Sequence, residues 1–211
     1  MPRIVNMQMR RGRLERFIIT LDDEQELIMT PEIVLKYGIT QDRTFSDKEF
    51  MHILEEDALR QAKDQAMRFL SNRQHSRLEL FRKLRDKGFR TEIIDRTIDR
   101  LEEIDLINDQ QFAKLYIQNE LQLRPAGRTL LSQKLSRRGI PREIYEPLLD
   151  KYVSQEIELK IALNISEKFV RIHSHLKGKI LKDKMIRYLQ DKGFRWEQIE
   201  IILNDKKQRF E

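Results

Sequence analysis

The sequence predicts a mainly α-helical fold: tandem three-helix repeats forming an elongated curved solenoid, preceded by a small N-terminal β-hairpin or sheet region. Three observations predict it. A Leu-x-x-(Lys/Arg)-Gly core recurs three times, with glycines 51 and 54 residues apart. Seven Gly and five Pro in 211 residues are too few for a hairpin-rich or largely disordered chain. Only the first thirty residues carry period-two apolar alternation, the mark of strands.

The elements follow in order. Val5, Met7 and Met9 alternate with polar residues and predict a strand. Arg10 to Arg13 reads as a turn, and Leu14 to Leu21 as a second, β-rich strand. Asp22-Asp23-Glu24 turns the chain into a third run, Glu26 to Met29. So small a sheet needs something to pack against. Thr30-Pro31 starts a short helix that Gly38 ends in the left-handed cap role. Ser46-Asp47-Lys48-Glu49 is a capping-box pattern opening a helix that runs to about Ser71, with Ala58, Ala62, Ala66 and Leu70 on one face. The expected organisation is a sheet-and-helix piece over 1–45, then repeats over 46–107, 108–152 and 153–211.

The repeat extends well beyond its core. Leu80, Leu131 and Met185 stand eight residues before the glycines, and Leu84, Leu135 and Leu189 four before. These share one helix face and belong to the core. Gly88, Gly139 and Gly193 supply the left-handed residue that ends the helix. Lys87, Arg138 and Lys192 suit the negative end of its dipole. Glu92, Glu143 and Glu197 fall in the first turn of the next helix, and Ile94, Tyr145 and Ile199, with Ile98, Leu149 and Leu203, form its core face. A lead-in helix precedes each pair, over roughly 57–71, 109–121 and 154–173. Such units bury little alone and stack.

Charge is unevenly placed. Residues 1–60 carry a net −3 and residues 61–211 a net +9, which suggests an acidic partner, nucleic acid foremost. Helix–turn–helix with a turn glycine is also the outline of a groove-reading DNA binder. In that reading the helix after the turn must not be acidic, yet residues 91–103, 142–151 and 196–205 hold 4 Lys/Arg against 11 Asp/Glu. The middle helices, 76–87, 127–138 and 181–192, hold 13 against 4. Cations on the middle helix favour a basic surface meeting phosphates or an acidic protein face in register. Three columns recur: Lys87, Arg138 and Lys192 before the glycine; Lys83 and Lys134 a turn earlier, with Tyr188 in the third place; and Arg77, Arg128 and Lys182 eleven before it. The last column lies in line with the apolar stripe, so an aliphatic stem covering the core is as good a reading as a binding role.

Catalytic and metal chemistry is not visible. There is no Gly-rich phosphate loop and no nucleophile elbow. With no cysteine, disulfides and thiolate zinc sites are excluded, and a reducing, cytoplasmic setting is expected. Residues 1–16 are too polar for a signal peptide, and no apolar run is long enough to span a membrane. His173 and His175 are two apart and point to different faces of a helix. Glu55-Glu56-Asp57 reads as a solvated face rather than a nuclease centre, and Trp196 as a packing residue.

Ser76-Arg77-Leu78-Glu79-Leu80 with Lys83-Leu84 and Lys87-Gly88-Phe89, then Leu106-Ile107-Asn108-Asp109 with Phe112-Ala113 and Tyr116, then Arg124 to Gly139, resemble the RecX family of bacterial regulators of the RecA recombinase. The resemblance covers about residues 57–211. It implies a non-enzymatic protein without cofactors that lies along the groove of the RecA–single-stranded DNA filament. Such a protein blocks filament growth, ATP hydrolysis and strand exchange, and binds single- and double-stranded DNA weakly and without sequence preference. A monomer with no membrane partner is expected. The candidate partner- or phosphate-binding residues are Arg77, Lys83, Lys87, Arg124, Arg128, Lys134, Arg137, Arg138, Lys182 and Lys192; no metal ligand is expected. A helix-turn-helix transcription regulator and a nucleic-acid-independent interaction scaffold are the alternatives. The third repeat departs most, with Gly178 where Arg73 and Arg124 stand.

Overall fold

The fold is taken from a computed structural model that describes residues 1–12 and 15–210. Arg13 and Leu14, in the expected turn and at the head of the expected second strand, lie outside the described residues. The chain forms two compact units, one of Met1–His75 with Leu80–Ile107 and one of Ser76–Glu79 with Asn108 onward.

The first unit opens on three antiparallel strands in the order β1 (Ile4–Arg10), β2 (Arg16–Leu21), β3 (Glu26–Met29). The register pairs Met7 with Ile19 and Ile18 with Ile28. A bulge between Ile4 and Asn6 turns Ile4 and Met7 towards the core and leaves Val5 and Met9 exposed. Ile4, Ile19, Leu21 and Met29 pack on Ile33 and Val34 of α1 (Pro31–Lys36) and Ile53 of α2 (Asp47–Asn72), so the sheet gains the apolar backing it needs. Gly38 is left-handed at φ +55, and the Ser46 hydroxyl accepts from the Glu49 N–H, as the sequence predicts. Buried Asp57 of α2 accepts from the Thr30 N–H at 2.8 Å and the Thr30 hydroxyl at 2.7 Å, which ties the start of α1 to α2. Then come α3 (Arg77–Arg85) and α4 (Thr91–Glu103), with Ala66, Leu80, Leu84, Ile94 and Ile98 in one core.

The second unit holds two further triplets, α5 (Asp109–Leu123), α6 (Arg128–Arg137) and α7 (Arg142–Tyr152), then α8 (Gln155–Ile172), α9 (Gly178–Asp191) and α10 (Trp196–Asp205). Each has its own core, with Leu131, Leu135 and Leu149 in one and Met185, Leu189, Ile199 and Leu203 in the other. The apolar columns therefore close three equivalent cores. One boundary differs: α9 begins at Gly178, a turn earlier than 181, and Gly178 takes φ +54.

All three middle helices end in the same way. Gly88, Gly139 and Gly193 have φ of +87, +78 and +81. In each, the N–H after the glycine reaches back to the carbonyl of the recurring leucine: Phe89 to Leu84, Ile140 to Leu135 and Phe194 to Leu189. That is the Schellman closure, which satisfies carbonyls the helix end would otherwise leave bare.

Candidate partner interface

In the second unit the glycine corners also receive the first turn of the preceding middle helix. A Cβ added to Gly139 would stand 2.4 Å from Leu78 Cβ, and one added to Gly193 would stand 2.4 Å from Leu130 N. The Ser76 hydroxyl donates to the Arg138 carbonyl at 2.6 Å, and the Gly127 N–H donates to the Lys192 carbonyl at 2.8 Å. A carboxylate on the following lead-in helix caps each incoming turn. Asp109 accepts from the Arg77 N–H at 2.8 Å, and buried Glu158 accepts from the Arg128 N–H at 2.6 Å. Glu158 also accepts from the Gln198 amide at 2.6 Å. Desolvation raises the Asp109 pKa, opposed by the Arg77 N–H and its charge.

Around this frame the candidate cations take different roles. Arg128, whose side chain is 17 % exposed, pairs with Glu146 and, at 2.7 Å, with Asp150; burial works against its charge, and the two carboxylates more than compensate, raising its pKa. Its place in line with the apolar stripe is thus filled by a structural ion pair. Lys134 pairs with Glu120. Arg138 stands 4.2 Å from the Tyr116 ring centroid, 3.5 Å from Glu79 Oε1, and donates to the Lys134 carbonyl at 3.1 Å. Tyr116 donates to Glu120 at 3.0 Å. Burial first, then the bond to Glu120, pushes the Tyr116 phenol up to about 12. Burial would raise Glu120, yet the hydrogen bonds from Lys134 and Tyr116 outweigh it and leave the carboxyl below its ordinary range. Lys134 and Arg138 thus belong to one half-buried cluster with Tyr116, Glu120 and Glu79.

The remaining candidates are more open. Lys83 is half-buried with its ammonium 4.7 Å from the Phe69 ring centroid, and Lys192 lies 5.6 Å from that of Tyr188. Lys87, Arg124, Arg137 and Lys182 are exposed, and Arg77 is half-buried at the first position of α3. Sequence reasoning missed the acidic members, Glu79, Asp109, Glu120 and Glu158. Glu158 had a signal: it shares the helix face of Ala162 and Ile165, where a carboxylate must be buried and bonded.

Other readings are settled locally. Trp196, expected to be a packing residue, is 53 % exposed at the first position of α10. Glu55 pairs with Arg96 and Glu56 with Lys36, while Asp57 holds Thr30. His173 stacks on Phe169 at 4.1 Å between centroids. Among the described residues no three His, Asp or Glu side chains gather as a metal site, and no helix is long and apolar enough to cross a membrane.

Comparison with known proteins agrees with this architecture. The family profile described as RecX, first three-helix domain, matches residues 62–101, and RecX, second three-helix domain, matches 108–147. A "Regulatory protein RecX" of Clostridium perfringens is 30 % identical over 204 residues, covering 93 % of this chain and 92 % of that one. The chain belongs to the RecX family. A RecX of Finegoldia magna is 29 % identical over 184 residues, covering 87 % of this chain and 90 % of its own. Among solved structures, RecX from Lactobacillus salivarius superposes with a TM-score of 0.63 at 25 % identity, over 72 % of this chain and 99 % of that one. A second, "Crystal structure of regulatory protein RecX", gives 0.70 at 18 % identity, over 97 % and 100 %, a likeness of fold. Both matched RecX profiles span a lead-in, a middle and an acidic third helix, the triplet derived above.

Proposed function

We propose that this RecX-family protein is a non-enzymatic modulator of the RecA recombinase. It binds as a cytoplasmic monomer along the groove of the RecA–single-stranded DNA filament and blocks extension, ATP hydrolysis and strand exchange. The observation that carries the reading is the segregation of charge within the triplets: cations crowd the middle helices α3, α6 and α9, while carboxylates crowd α4, α7 and α10. A nucleoprotein groove presents phosphate and acidic protein together, and repeated cations at fixed spacing suit both. The same segregation weighs against a helix-turn-helix repressor, because carboxylates on the helix after the turn would face phosphates.

The intramolecular pairs divide the candidate surface by strength. Exposed Lys87, Arg124 and Lys182 carry the contact to phosphate or protein. Arg128 and Lys134 chiefly brace the second triplet, Arg138 ties it to the turn of Glu79, and all three add positive potential. DNA contacts of this kind are weak, sequence-independent and salt-sensitive.

The test is RecA's single-stranded-DNA-dependent ATP hydrolysis, titrated with the full chain at moderate salt. Inhibition at amounts well below RecA is the expected result, since blocking a growing end needs few molecules. Unchanged hydrolysis at equimolar protein, with the chain shown to be folded, would overturn the proposal.

A further inference from the structure

The three glycine corners are built alike, and only two are filled. Leu78 lies over Gly139 and Leu130 over Gly193, so closely that neither glycine has room for a methyl group. Gly88 meets nothing within 4 Å of an added Cβ. The following residue records the same difference. Ile140 is 3 % exposed and Phe194 5 %, whereas Phe89 is only half-buried beside an exposed Gly88. The cation before the glycine differs too. Arg138 reaches Glu79 of the incoming turn, while Lys87 is exposed and makes no ion pair with the described residues.

Both filled corners take a leucine from the first turn of a helix, and the occupants differ otherwise. At Gly139 the occupant is Ser76-Arg77-Leu78-Glu79, the first turn of a helix. Its hydroxyl accepts from the Glu79 N–H at 3.2 Å and donates to the Arg138 carbonyl, its leucine covers the glycine, and its glutamate faces the cation. The corresponding carboxylate at the first corner, Asp57, is already engaged by Thr30, so a newcomer must cap itself. A second copy of this chain does not qualify. In α9 the positions of Leu78 and Leu130 are held by Asp183 and Lys184, both exposed, so its first turns lack the leucine that a corner takes.

We infer that the Lys87–Gly88–Phe89 corner is a docking site for the first turn of a helix on a partner protein, a self-capped turn of the type Ser-x-Leu-Glu. The inference rests on the RecA reading, with the turn supplied by the protein of the filament rather than by its DNA. Leucine over Gly88 and Phe89 gives an apolar anchor, and the acidic fourth residue selects for Lys87.

Gly88→Asn tests it. Asparagine tolerates the left-handed conformation, and open space surrounds the Cβ, so the fold is kept while a polar side chain fills the corner. Binding to RecA–single-stranded DNA filaments is measured for the wild-type chain, Gly88→Asn and Lys87→Glu, with thermal unfolding as the control on folding. The expected result is loss of at least about tenfold in affinity for both variants, the loss typical of a removed anchor. A second measurement does not depend on RecA: a synthetic peptide of residues 74–90 is added to the full chain, and the amide resonances of Lys87, Gly88 and Phe89 are followed. They should shift in the wild type and stay still in Gly88→Asn. Failure of the wild type to bind filaments overturns the RecA reading and the named partner. Equal filament binding by wild type and Gly88→Asn overturns this site and leaves the RecA reading standing. Unmoved amides in the wild type overturn the docking chemistry itself.

Discussion

Replacing the three corner glycines one at a time with alanine should produce unequal losses of stability. All three are left-handed, so each alanine incurs backbone strain of about 1 kcal/mol. For Gly88→Ala that is the whole effect, because nothing crowds the new methyl. At Gly139 the methyl would meet Leu78 Cβ at 2.4 Å and Cδ2 at 2.6 Å; at Gly193 it would meet Leu130 N at 2.4 Å and Cβ at 2.5 Å. Real Cβ atoms do not approach that closely, so the incoming helix must back away, and overpacking of this sort adds about 1–3 kcal/mol. Gly193→Ala should be the worst, since it meets backbone atoms of Leu130, whereas Gly139 meets only atoms of the Leu78 side chain. Denaturant unfolding followed by circular dichroism gives the comparison. Expected losses are about 1 kcal/mol at Gly88 and about 2–4 kcal/mol at Gly139 and Gly193, with each kcal/mol lowering the melting temperature by about 2–4 °C. Equal losses at all three sites would refute the reasoning, because they would mean that the corners serve only as helix stops.

Three further outcomes are expected. Glu158→Ala leaves the Arg128 N–H and the Gln198 amide without an acceptor and should cost about 2–4 kcal/mol in chemical denaturation, with Glu158→Gln milder. Glu120 has a lowered folded-state pKa, so its contribution is full above the ordinary carboxylate range and is lost as pH falls through the lowered value. The stability gap between wild type and Glu120→Gln should therefore be about 1–2 kcal/mol at neutral pH and close in acid; a gap that widens in acid would contradict the Lys134–Glu120–Tyr116 cluster. In an alkaline absorbance titration a late tyrosine with a pKa of about 12 should be present, and Tyr116→Phe should remove it.

Much of the repeat was legible because it rests on local rules. A left-handed glycine, a cation before it and a glutamate four residues on are each dictated by a helix end within reach of its own neighbours, so the three copies carry the same pattern. The contacts between helices far apart in sequence follow no local rule. Leu78 meets Gly139 and Arg128 meets Asp150 only after folding, and nothing near either residue announces its partner. For the same reason the sequence showed where cations stand but not which were already committed. Arg128 and Lys87 fall in equally regular columns, yet one is held between two carboxylates and the other is open to solvent.

The Asp57–Thr30 contact decides what the smallest workable piece of this protein is. Trimming the first 45 residues looks harmless on paper, since the triplets begin later. It would instead strand a carboxylate that only Gln61 would still serve and bare Ile53, whose apolar neighbours come largely from the sheet and α1. The opening strands are therefore a foundation course under the first triplet, and a shortened chain would begin life with a polar side chain facing the void they left.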